Sequence, residues 1–272
     1  MTSPAEAPPV PSSPPRERRQ RVQSAETGMA VLKGLAHLGG RSSLTALATH
    51  VGESPAKVHR YLASLMEESL VRQDTASQHY YLGPEAIQIG LAAMRQADPI
   101  RAAEPCLIRL RESLEVTCFV AVMGNKGPTI VRFEEPGLPV TVNVRAGSVM
   151  SMLWSATGRA FLGLLDESRV VALAEQELAE ATADMRALLD AADPIGTLRR
   201  EVQQAHCAIV KDTYLRGISA VAAPVYDYAG RVCAVITALG ATGGFDPSID
   251  GPIAIAVRRE AKAAGALLGA TA

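Results

Sequence analysis

The stretch that most constrains this chain runs from Gly52 to Arg72, GESPAKVHRYLASLMEESLVR. Ser54 is a favourable helix N-cap because its hydroxyl can accept an orphan backbone N–H, and Pro55 has its φ pre-set for the first helical position. The spacing predicts a helix from there toward Ser69. Val58, Leu62 and Leu65 recur at the three-to-four-residue interval of one helical face, with Tyr61 beside them. Lys57 and Arg60 fall on the opposite face, with His59 nearby. Such a helix either carries a solvated charged face or reads a DNA groove, and its neighbours decide between the two.

Those neighbours are short helices. From Ser24 the pattern is helical, with Met29, Val31, Leu32, Leu35 and Leu38 at apolar positions, until Gly39-Gly40 stops the run. Ser42 or Ser43 then caps a second helix with Leu44, Leu47 and Ala48 inward, ending near His50. Three short helices joined by tight turns, the last with a basic face, form a helix-turn-helix pattern. Leu70–Gln73 and Tyr80–Leu82 read as two strands around a polar loop, a β-hairpin wing. Ser43, Thr45 and Ser54 can donate to DNA phosphates, although capping alone accounts for the two serines. At the wing tip, Gln78 and His79 are either backbone contacts or part of a solvated turn.

A net charge of -1 on 272 residues supplies no global field toward nucleic acid, so any DNA binding has to come from a local patch. Residues 1–23 are rich in proline and small polar residues, a composition that builds no core. They are expected to form a disordered tail carrying Arg16, Arg18, Arg19 and Arg21, which is either a DNA-following arm or simply solvated. No apolar run reaches the roughly 18 residues of a membrane span, and the start lacks a signal-peptide core, so a cytoplasmic protein is expected. Cys106, Cys118, Cys207 and Cys233 are scattered singly and are expected to be reduced. His206 beside Cys207 is poor chelation geometry because neighbours in a strand face opposite ways, so no metal site and no cofactor are expected.

Pro84–Gln96 is an apolar helix with Ile87, Ile89, Leu91 and Met94, expected to connect domains or to pair with a second subunit. Asp98-Pro99 marks a boundary. Beyond it, helices are expected over Arg101–Leu114, Ala156–Leu165, a series from Ser168 to Gln204, and Ile249–Leu268. Strands are expected over 117–123, 129–134, 140–145, 207–210, 218–226 and 232–240. Hairpin-length turns between strands imply an α+β domain around an antiparallel sheet.

Four motifs in order carry a resemblance: HRYLASL from His59 to Leu65, YYLG from Tyr80 to Gly83, SATGRA from Ser155 to Ala160, and GISAVAAPVYD from Gly217 to Asp227. The chain resembles the IclR family of transcription regulators. The resemblance implies a winged helix-turn-helix over residues 24–83, a connector over 84–97 and a GAF-like α+β effector-binding domain over 98–272. It further implies double-stranded operator DNA and a small-molecule effector as partners, with the protein a homodimer or homotetramer.

The family loop G-x-x-x-P-L-H-x-T-A-x-G-K-A aligns with Gly147–Ala160, where this chain has Ser151, Met152, Leu153, Ser155 and Arg159 in place of Pro, Leu, His, Thr and Lys. By that resemblance the effector residues are Met152, Leu153, Trp154 and Ser155 in the loop, Ile218 and Ala220 in one strand, and Thr237 and Leu239 in the last strand. Trp154 is either a ligand-stacking wall or a structural plug. Asp212, Thr213 and Ser219 serve a ligand or their own backbone. Ala220 stands where the family often has cysteine, and Leu239 replaces a second hydroxyl, so the pocket suits an acid with an apolar or aromatic body. Neither G-x-S-x-G, H-E-x-x-H nor a phosphate loop occurs, so no enzyme is expected. The remaining alternatives are a sensor acting through protein contacts and an enzyme using the C-terminal pocket.

Overall fold

The computed structural model describes residues 22–137, 144–213 and 215–271. The chain divides into two compact units, 1–96 and 97–272. The basic arm of the expected tail lies outside the described residues.

In the first unit, α1 (Gln23–His37), β1 (Arg41–Ser42), α2 (Leu44–Val51), α3 (Pro55–Glu67), β2 (Val71–Gln73), β3 (Tyr80–Leu82) and α4 (Pro84–Gln96) follow in order. Val31, Leu35, Leu47, Val58, Leu62, Leu65, Val71 and Tyr80 form its core. Met29 and Leu38, two of its apolar positions, are exposed at the surface, while the small residues Thr27, Gly28 and Gly34 let α1 approach its neighbours. Gln23, assigned to the tail from sequence, is the first residue of α1. The wing has a third strand: β1 pairs with β3 through Arg41 opposite Tyr81 and Ser42 opposite Tyr80, giving the order β1-β3-β2. Two residues are too few to show an alternating pattern, and so Ser42, a candidate cap, is strand while Ser43 caps α2.

The second unit comprises α5 (Pro99–Leu114), β4 (Thr117–Gly124), β5 (Gly127–Glu134), α6 (Ala156–Leu164), α7 (Ser168–Glu180), α8 (Ala183–Arg186), α9 (Pro194–Ala205), β6 (Ala208–Lys211), β7 (Ile218–Tyr226), β8 (Val232–Ala241) and α10 (Pro252–Leu267). Among the described residues its strands form one antiparallel sheet, β5-β4-β8-β7-β6. Asp98 accepts the N–H groups of Ile100 and Arg101, so α5 starts two residues earlier than its apolar pattern shows. The strand expected over 140–145 falls mostly outside the described residues, and Val144 and Arg145 are not in a strand.

Helices cover both faces of the sheet. Val221, Ala223 and Val225 of β7 pack with α5 and α10, whereas Ala220 and Ala222 pack with α6 and the loop before it. Glu260 of α10 is buried on the first face and compensated by Arg109 of α5 at 2.7 Å and Arg259 at 3.0 Å. Among the described residues, no helix is long and apolar enough to cross a membrane.

Candidate nucleic-acid interface and effector cavity

The outward face of α3 follows from its N-terminus. Ser54 accepts the N–H of Lys57 and Pro55 occupies the first turn, fixing a rotation that sends Val58, Leu62 and Leu65 inward. His59 and Arg60 are consequently exposed. Lys57 is half-buried and its Nζ lies 2.7 Å from Glu53 Oε1, so its charge is already partnered. Arg60 forms no ion pair among the described residues and is the less encumbered cation on this face.

The other nominated contacts are more occupied. Ser43 accepts the N–H of Ala46 at 3.2 Å, though a capping hydroxyl still has its own hydrogen to donate, as does that of Ser54. Thr45 is exposed. At the wing tip, Asp74 accepts from Ala76 N and Ser77 N and pairs with Arg41 at 3.1 Å, and the backbone bonds foremost hold its carboxyl below the usual range. Gln78 sits in left-handed backbone and donates to Thr75 O, while the His79 ring lies 3.0 Å from Ser77 O. Both side chains thus shape the turn. Arg72, which sequence reasoning did not nominate, is exposed on β2 without an ion pair among the described residues.

The cavity of the second unit arises from strand register. Val210, Ala220 and Leu239 stand opposite one another across β6, β7 and β8, and Thr237 stands opposite Phe119 of β4. These side chains, with Ile218, meet the first turn of α6 (Ser155, Ala156, Thr157) and Val144, Met150 and Leu215 around a cavity of about 30 Å³. The Thr157 and Thr237 hydroxyls lie 2.9 Å apart inside it and both are buried. As the opening turn of a helix, residues 155–157 also present backbone N–H groups without intrahelical partners and the positive end of the helix dipole.

The loop leading into α6 is pinned from several sides. Glu177 of α7 accepts the N–H groups of Met152 at 2.7 Å and Leu153 at 3.1 Å. Ser151 accepts the Trp154 N–H, and Arg159 donates to the carbonyls of Leu153 and Ile209. Burial lowers the Arg159 guanidinium pKa, yet these two carbonyls hold it in place. Ser151 and Arg159 are two of the departures from the family pattern, and they clamp the same loop. Gly158 is required there, because a Cβ would overlap the Ser151 carbonyl oxygen.

Of the nominated effector residues, Ser155, Ile218, Ala220, Thr237 and Leu239 line the cavity. Met152, Leu153 and Trp154 are buried in the core behind it, with Trp154 only 2% exposed. Asp212 accepts from Gly217 N and Thr242 Oγ1, Thr213 donates to Lys211 O, and Ser219 bonds Thr242, so all three serve the β6–β7 connection and the adjoining end of β8. Sequence reasoning missed Phe119, Thr157 and Val210 in the wall and Glu177 behind the loop. The motif SATGRA contained Thr157, and strand alternation pointed Phe119 and Val210 to this face, but nothing local signalled Glu177. The four cysteines are free; burial pushes Cys118 up to about 12 and Cys207 and Cys233 to about 11, which keeps these three thiols protonated.

The model of the IclR helix-turn-helix domain matches residues 24–75, and that of the bacterial transcriptional regulator IclR C-terminal domain matches residues 91–263. The crystal structure of Pseudomonas aeruginosa HmgR is similar, with a TM-score of 0.83 and 38% identity over 91% of this chain and 98% of that one. The HTH-type transcriptional regulator BhcR of Paracoccus denitrificans is 26% identical over 224 residues, 81% of this chain and 78% of that protein. The acetate operon repressor of Salmonella typhimurium is 26% identical over 155 residues, and the match spans 56% of this chain and 57% of that repressor's length.

Proposed function

The chain belongs to the IclR family and is a transcription regulator rather than an enzyme, and from that premise we propose that a small organic acid entering the α6 cavity changes its grip on operator DNA. In this reading residues 24–83 bind the DNA in the cytoplasm, with Arg60 and Lys57 as the main cations, residues 84–97 connect, and residues 98–272 sense the ligand. Ile87, Leu91 and Met94 are exposed along one face of α4, an apolar patch suited to a second copy, which supports a homodimer or homotetramer on a partly palindromic site.

The observation that carries the ligand class is the placing of Thr157, Thr237 and the opening turn of α6 against walls of Phe119, Val210 and Leu239. Helix-start N–H groups and hydroxyls suit a carboxylate, and the walls suit an apolar or aromatic body. Ligand pockets run from roughly 300 Å³, far above the cavity's volume of about 30 Å³, so a ring-bearing acid has to shift the walls. A ligand that binds only a shifted arrangement has the differential affinity that switching requires.

Thermal-shift screening against small aliphatic and aromatic carboxylic acids tests this, because a ligand of the folded state raises apparent stability. Each stabilising acid is then added to an anisotropy titration with the DNA upstream of the gene. We expect at least one acid to raise the melting temperature and change DNA affinity together. If stabilising acids leave DNA binding unaltered, the effector reading fails.

A further inference from the structure

A larger cavity, about 350 Å³, lies on the opposite face of the sheet, between α10 and the end of β7. Its lining is largely apolar: Ala223 of β7 and Ala261 of α10 contribute buried methyl groups, Ala266 of α10 stands exposed at the rim, and Pro224 and Tyr226 of β7 lie beside them. One wall is cationic. Arg258 and Lys262 stand one turn apart on α10, facing His206 at the C-terminal cap of α9. None of these three side chains forms an ion pair or hydrogen bond among the described residues. The one acid at the rim, Asp227, is engaged by Ala229 N at 2.8 Å, Arg231 N at 3.0 Å and the Arg231 guanidinium at 3.1 Å, so it does not neutralise that wall.

We propose that this groove is a second ligand site, taking a small organic carboxylate whose apolar body lies on the apolar lining and whose acid group faces Arg258, Lys262 and His206. Shape and charge agree on that class: the volume is in the range of small-molecule pockets, the lining is mainly apolar, and the Arg258 and Lys262 side chains have unused donors. The site is distinct from the α6 cavity, since the two share no lining residue and Ala223 and Ala220 belong to the cores on opposite faces of β7.

The test uses the full chain labelled with 13C-methyl alanine, titrated with 2-naphthoate and, separately, with its neutral counterpart 2-naphthylmethanol. Saturable shifts are expected at the Ala223, Ala261 and Ala266 methyls with the acid, and binding about tenfold weaker with the alcohol and with the double variant Arg258→Gln, Lys262→Gln. Ala266→Phe, which keeps the charges but fills the rim, should block the acid as well. Shifts confined to the Ala156 and Ala220 methyls, equal binding of acid and alcohol, or indifference to Ala266→Phe would each overturn the proposal. So would alanine shifts that follow protein concentration without any probe, which would make the groove a face between copies.

Discussion

On α3, Val58, Leu62 and Leu65 turn inward and His59 and Arg60 outward, so one side of the helix is chemically unlike the other. On β7, Ala220 and Ala222 face α6 while Val221, Ala223 and Val225 face α10, and all five are buried. As a proposed DNA reader, α3 works through what it exposes, and its working residues differ from its core. As a proposed ligand site, the α6 cavity works through what it buries, and there wall and core are made of the same residue types. The α6 cavity therefore depends on close packing, whereas the α3 face depends on which charges remain free.

Glycines break this comparison most forcefully. Gly158 lies under the Ser151 carbonyl, so Gly158→Ala must displace backbone in a loop held by Glu177, Ser151 and Arg159. Overpacking of this kind costs on the order of 3 kcal/mol or more, and the loss should appear in urea unfolding of the second unit. Gly52 caps α2 with φ 75°, and a Cβ there meets nothing within 4 Å. Gly52→Ala should therefore cost only about 1 kcal/mol, from backbone conformation alone. Equal losses at the two positions would remove the distinction between a packed site and an open one.

On the DNA side the effects are expected in affinity rather than stability. Arg60→Ala should weaken operator binding by about 30-fold, or about 2 kcal/mol, if it reads a base. If it meets a phosphate instead, the loss is similar for every sequence and the log-log salt slope falls by about 0.9. Glu53→Gln acts in the opposite direction, because it releases Lys57 from its ion pair and removes a negative charge beside the reading face. Anisotropy titrations at several salt concentrations check both, and unchanged affinity in Glu53→Gln would remove Lys57 from the interface.

The same contrast explains what could be read in advance. The helix-turn-helix was legible because amphipathic periodicity, the Ser54-Pro55 start and the glycine turns all act within a few residues. The five strands of the larger sheet were legible from their apolar, partly β-branched runs and tight turns, whereas the two-residue β1 was not. Trp154 drew attention as the sole tryptophan, yet it packs in the core because its loop is drawn inward by a carboxylate on another helix. That carboxylate, Glu177, is an ordinary helical glutamate in sequence, and only the fold brings it to Met152 and Leu153. Glu177→Gln keeps one acceptor but loses its charge, so it should lower stability by about 1.5 kcal/mol. Trp154 fluorescence during urea unfolding reports it, and an unaltered midpoint would mean that the remaining loop contacts suffice.

The smallest expected change is the most informative about the cavity. Thr157 and Thr237 are buried and satisfy each other. Either Thr→Val change keeps the shape but leaves one buried hydroxyl without its partner, at about 1 kcal/mol. Changing both removes the polar pair entirely, and the double variant should return close to the stability of the parent, since two apolar side chains of the same shape replace two satisfied hydroxyls. A double variant that loses the sum of the singles would show that the hydroxyls act separately and that the wall needs each one for packing. With stability restored, the double variant isolates ligand recognition: if the acid is bound through these hydroxyls, thermal stabilisation by acids should vanish while operator affinity stays at its ligand-free value. A double variant that still responds to acid would shift recognition to the opening turn of α6, whose backbone N–H groups the two substitutions leave in place.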